Sequence, residues 1–134
     1  MDFSGINFLA VFVAALSAFA LGGFWYSPLL FGKSWMQETG MTQEKIKQAN
    51  MPVIYTLAFL LSVIIAMTFE RFLPLQATWR FGATAGALAG LGWVATSFGI
   101  TYLFEQKSSK LFLINAGDHT VTFLVIGTIL GAWR

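Results

Sequence analysis

Four stretches of the chain carry no charge over a length that crosses a bilayer. The first lies between Asp2 and Lys33, the second covers residues 48–69 and the third residues 81–104. The fourth runs from Lys110 to Arg134 and is interrupted only by Asp118, with His119 beside it. A bilayer core takes about 20 apolar residues of helix. A soluble core helix would show a polar face within such a window, and these windows do not. The pattern predicts an all-α integral membrane protein, one domain over residues 1–134. Its four transmembrane helices are expected near residues 5–26, 53–71, 80–104 and 111–133, with a cytoplasmic-side loop at 27–52.

That loop begins with a stretch that is itself apolar, GGFWYSPLLFGKSWM at residues 22–36. Phe24, Trp25 and Tyr26 fall where the first helix meets the headgroups, the level at which amphipathic rings are enriched. Pro28 has no N–H and disfavours helix at Ser27, so the span ends there. Leu29, Leu30, Phe31, Trp35 and Met36 are too few to cross again. They suit a short segment lying in the interface, with Gly32 as a bend and Lys33 reaching for phosphate; a hydrophobic loop packed beneath the bundle fits equally well. Trp25, Tyr26, Lys33 and Trp35 are the expected interface anchors. Thr42 then caps a short polar helix through Gln48, and Pro52 opens the second span.

The third span carries Gly82, Gly86 and Gly90 at four-residue spacing among alanines, and the fourth carries Gly127 and Gly131. Small residues four apart let helix backbones approach closely, the usual basis of helix association in lipid. The spacing does not say whether the partner helix belongs to the same chain. Gly127 and Gly131 lie on roughly the opposite face from the polar residues of the fourth helix. A helix with two specialised faces predicts two protein neighbours, and hence a homo-oligomer.

Composition changes this picture little. The chain is 57% hydrophobic and 10% charged, against about 25% charged in soluble domains. It has no cysteine, so disulfides and thiolate metal sites are excluded. A net charge of +2 gives no footing for nucleic acid. Residues 1–5 contain no lysine or arginine and the first apolar run is long, so it reads as a retained span rather than a cleaved signal peptide. Lys33, Lys45, Lys47, Lys107 and Lys110 lie in the loops of one side, Arg71, Arg80 and Arg134 on the other. That excess puts the lysine loops in the cytoplasm and both termini outside.

The combination of Trp25-Tyr26-Ser27-Pro28, Leu30-Phe31-Gly32-Lys33 and Trp35 near one end with Leu103-Phe104-Glu105 and Leu111-Phe112-Leu113-Ile114-Asn115-Ala116-Gly117 near the other is distinctive. With the closing Gly127, Gly131 and Trp133, it resembles the small bacterial membrane proteins grouped as domain of unknown function 1761, over essentially the whole chain. The resemblance implies the architecture and a place in a bacterial inner membrane, and brings no reaction, substrate or cofactor. At Asp118 this chain departs from it, since many relatives carry a tyrosine or similar residue there. No family-wide role is implied for that position.

One constellation can carry chemistry. Asn115, Asp118, His119 and Thr122 form a stripe on the fourth helix, and Ser97, Thr101 and Glu105 recur at four-residue spacing on the third. The 106–110 link makes these two helices antiparallel neighbours. Counted inward from it, Asp118 lies ~10 Å along its helix, at the depth of Ser97 to Thr101. Tyr26 ends the first helix on the same side. Polar groups gather in that leaflet, and the opposite half is expected to be dry apart from isolated threonines. An ionised aspartate facing lipid costs ~2.5 kcal/mol or more, so Asp118 is expected to face protein. The expected binding set is Asp118, His119, Asn115, Ser97, Thr101, Glu105 and Tyr26. Three readings follow: a vestibule that binds or passes a small polar solute or proton, structural or lipid-organising glue between helices or protomers, and a membrane enzyme acting on a lipid-like molecule. The last lacks a nucleophile–base pair or metal set, with one histidine and no cysteine. No cofactor or metal is implied, the expected partners are membrane lipids, and the ligand's identity is not written in the sequence.

Overall fold

A computed structural model describes residues 3–134, and the helices fall where the charge-free runs place them. In chain order they are α1 (Phe8–Trp25), α2 (Gly32–Thr39), α3 (Gln43–Gln48), α4 (Met51–Phe72), α5 (Trp79–Ala89), α6 (Thr96–Glu105) and α7 (Ser109–Ala132). A π-helical segment, Gly90–Ala95, joins α5 to α6, so the third span is one helix with a changed pitch at its centre. No described residue is in a strand. Among the described residues, four helices are long and apolar enough to cross a membrane: α1, α4, α5 through α6, and α7.

Every span starts on a side-chain cap. Asn7, Asn50, Thr78 and Ser108 accept hydrogen bonds from the backbone N–H of Ala10, Val53, Phe81 and Leu111, at 3.0–3.3 Å. Each satisfies a donor that the first turn leaves without an intrahelical partner. Thr42 caps α3 in the same way through Lys45, and Pro52 stands in the first turn of α4, as expected. The first span begins at Phe8 rather than at residue 5 because Asn7 caps it there.

The helix α7 is the hub, packed against α5, the π segment, α1, α2 and α4. Toward α1 the contact is made by small side chains. Ala10, Ala14 and Ala18, with Val11 and Ala15 beside them, are buried in one cluster with Ala66 of α4 and Ile126 and Leu130 of α7. Phe12 and Phe19 meet Phe59 edge-on at 5.8 and 6.1 Å and hold α4 to the outer side of α1. The first half of α4, from Val53 to Leu61, is largely exposed, as a lipid-facing surface would be.

Toward α5 the contact is backbone on backbone. A Cβ built on Gly82 would land on the carbonyl oxygen of Gly127, and one on Gly127 would land on that of Gly82. Gly86 faces the Phe123 carbonyl, Gly131 the Thr78 carbonyl, and a Cβ on Gly90 would lie 2.8 Å from the Thr120 Cα. The two glycine series therefore meet each other inside one chain. The partner that the glycine spacing left open is thus within the same chain, and the two faces of α7 no longer argue for a homo-oligomer.

Candidate polar site at the end of the bundle

The aromatic stretch that closes α1 is built into the fold rather than laid loosely on a surface. Trp25 donates its indole N–H to the Ile114 carbonyl of α7 at 3.0 Å. Its ring fills the space above Gly117, where an added Cβ would come within 3.0 Å of it. The chain then reverses through Ser27 and Pro28, with the Gly32 N–H returning to the Ser27 carbonyl at 3.0 Å. Gly32 is obligatory here because a Cβ would collide with the carbonyls of Tyr26 and Ser27. After this turn Phe31 packs against Trp25 with centroids 4.8 Å apart and the rings tilted by 41°, and Trp35 of α2 meets Tyr26 edge-on at 5.7 Å. Glu38 of α2 accepts a hydrogen bond from Ser108, tying α2 to the start of α7. Leu29 stays 83% exposed, while the segment as a whole covers the end of α7. This packing is that of a hydrophobic loop folded beneath the bundle.

Beneath this cover three spans are joined by a polar relay. The Tyr26 hydroxyl donates to Asn115 Oδ1 at 2.6 Å, and Asn115 Nδ2 donates to the Tyr102 hydroxyl of α6 at 2.7 Å. Tyr26 also lies within electrostatic reach of Asp118 and Tyr102. Asp118 is one turn deeper on α7, ~14 Å from the start of that helix. It is 8% exposed, and its Oδ1 is buried without a hydrogen-bond partner. His119 does not serve as that partner. Adjacent residues project ~100° apart on a helix, and the imidazole lies flat on Phe98, 4.9 Å between centroids. Phe98 in turn meets Tyr102 edge-on at 5.6 Å.

Of the expected set, Asp118, Asn115 and Tyr26 come together, and His119 borders them through Phe98. Ser97, Thr101 and Glu105 do not join them. All three are exposed on the outer side of α6, and Ser97 donates to its own helix at the Trp93 carbonyl, 2.5 Å away. The cause is the π segment. Uniform α-helical phase from Gly90 carries the α7-facing stripe to Ser97 and Thr101. A π turn inserts one extra residue, so the stripe slips by one to Phe98 and Tyr102. Spacing alone therefore misses Tyr102, and the paired glycines at 90 and 92 are the only local hint.

A second polar cluster lies at the opposite end, in the half expected to be dry. Glu70, 3% exposed in the last turn of α4, forms an ion pair with Arg134 at 3.0 Å. Its local signal is slight: a single acid closing a charge-free run.

The relay makes a quantitative prediction. Interhelical hydrogen bonds in membrane proteins contribute about 0.6–1.7 kcal/mol. Tyr26→Phe, which removes the hydroxyl and keeps the ring against Trp35, should destabilise by that amount. Thermal unfolding in mild detergent, followed by tryptophan fluorescence, measures it; an unchanged midpoint would mean that the relay does not form.

Comparison with known proteins gives one match. Residues 9–131 fit the model of the family described as "Protein of unknown function (DUF1761)". No curated protein and no solved structure matches. With nearly the whole length matched, this four-span membrane protein belongs to the DUF1761 family.

Proposed function

We propose that this protein binds and passes protons across the membrane, with Asp118 as the group that takes up and releases them. One observation carries the reading: a carboxylate oxygen buried within a membrane span with no hydrogen-bond partner. An ionised carboxylate left in that state costs several kcal/mol. A bound proton removes the charge. The Tyr26 and Tyr102 hydroxyls, held by Asn115 one turn nearer the headgroups, place exchangeable protons on the loop side of Asp118.

A proton fits better than a larger solute. Cavities of about 360 and 250 Å³ are lined by residues remote from Asp118, and a buried, unpartnered carboxylate oxygen takes a proton without rearrangement of its neighbours. Acid-driven proton uptake into liposomes, compared between wild type and Asp118→Asn, tests the assignment. The structural reading remains the rival, favoured by how completely Asn115 is tied between its two tyrosines.

In the same proposal the lysine-bearing 26–50 segment and the 106–108 link face the cytoplasm, and Asp118 is approached from that side. Single cysteines at Thr42 and Gln76, probed in intact cells with an impermeant maleimide, check this. Labelling is expected at Gln76 and not at Thr42; the reverse pattern would invert the protein.

A further inference from the structure

Glu70 and Arg134 are bound to each other more fully than a salt bridge requires, yet one atom is left over. Arg134 Nη1 donates to Glu70 Oε1 at 3.0 Å. Its Nη2 donates to the backbone carbonyls of Glu70 and Leu73, each at 2.8 Å, closing the C-terminal end of α4. The Asn7 N–H approaches the same Oε1 at 3.4 Å. These contacts account for a clamp between α4 and the end of α7. They do not account for Glu70 Oε2, which is buried and has no partner. Buried polar atoms without partners are rare because each costs about 1–3 kcal/mol, more when charged.

A cavity of about 360 Å³ lies at this pair, lined by Glu70, Arg134, Arg71, Ser4, Phe72 and Leu75 among others. It sits where the spans end. Phe72 and Leu75 beside it are 75% and 81% exposed, so its rim is apolar and uncovered by protein.

We propose that this cavity binds the headgroup of an aminophospholipid, its primary ammonium pairing with the Glu70 carboxylate as Oε2 turns from its buried position toward the cavity, and its phosphate accepting from Arg134. The missing partner of Oε2 must be a donor, and an ammonium brings three N–H groups together with the charge that offsets a buried carboxylate. A guanidinium carries five N–H donors. Those not used on Glu70 and Leu73 suit a phosphate. The two-carbon arm of ethanolamine keeps ammonium and phosphate close together, as a carboxylate and guanidinium in contact ask of one ligand. Acyl chains then run past Phe72 and Leu75. A choline headgroup has no N–H to give, and a glycerol headgroup brings hydroxyls but no cation. The site is independent of Asp118 and of the proton reading.

Native mass spectrometry of the protein with equimolar phosphatidylethanolamine, phosphatidylcholine and phosphatidylglycerol tests the proposal. Phosphatidylethanolamine should be retained over both others by about tenfold or more, as a charged hydrogen bond implies. Glu70→Gln should bring the three lipids to parity. Leu75→Glu, at the exposed rim and away from the buried pair, should also abolish retention by opposing the phosphate, with the unfolding temperature of the lipid-free protein unchanged. Equal retention of the three lipids, or a preference that survives Glu70→Gln, overturns the proposal. So does protection of the lipid-free protein by phosphoethanolamine that the phospholipid does not match, which would make the occupant a soluble compound.

Discussion

Gly127→Ala should leave little folded protein, while Gly92→Ala should be tolerated. The two positions differ in one respect, the atoms that a methyl group would meet. At Gly127 the new carbon lands on the Gly82 carbonyl oxygen, with the Gly86 Cα only 3.3 Å away; at Gly92 nothing lies within 4 Å. Overpacking against side chains costs about 1–3 kcal/mol because rotamers yield. Here the obstacle is the backbone of a helix, so α5 and α7 must separate, and the loss belongs at the upper end of that range or beyond it. At Gly92 only the intrinsic gain of alanine over glycine in a helix remains, about 1 kcal/mol at most. Thermal midpoint and monodispersity in mild detergent are the measurements. Comparable stability of the two variants would refute the backbone contact. A Gly127→Ala protein that stays helical and stable but changes its mass would instead place the glycine seam between chains.

Asp118→Asn should abolish proton flux into liposomes, to about a tenth of wild type or less, and leave the thermal midpoint unchanged or raised. The amide keeps the size and most of the hydrogen-bonding capacity of the carboxyl while removing the cost of a buried charge, so the fold loses nothing. It cannot take up or release a proton in the working range, so a proton carrier loses its central group. If Asp118 is only a structural polar residue, the same variant is harmless in both measurements. Unaltered flux with Asn at position 118 therefore sinks the proposed function. Asp118→Leu discriminates poorly, since loss of polar character damages either kind of site. Measuring stability and flux on the same preparation separates a silenced protein from a misfolded one.

What lies along one helix is legible in the amino-acid sequence. Whether a window of about 20 residues enters a bilayer depends on that window alone, so the charge-free runs locate the four spans to within a few residues. Caps are equally local: Thr42 and Pro52 act within a few residues of themselves. The glycines announce a close helix contact for the same reason. Their partner cannot be read, because the seam from Gly82 to Gly127 joins surfaces that only folding brings together.

The candidate site divides along the same line. Asp118 and Asn115 share a turn of α7, and their common face follows from helical periodicity. Their neighbours on α6 depend on accumulated phase, and one π turn between Gly90 and Ala95 is enough to exchange Ser97 and Thr101 for Phe98 and Tyr102. Helix pitch is set by packing against α7 as well as by local sequence, so counting residues from Gly90 cannot recover that shift. Glu70 and Arg134 stand 64 residues apart and look like ordinary charges at the ends of two spans. Only the docking of α4, α1 and α7 makes them a buried pair with a cavity beside it. Local chemistry determined where this chain enters the membrane and where each helix begins; the contacts between helices decided which polar groups meet there.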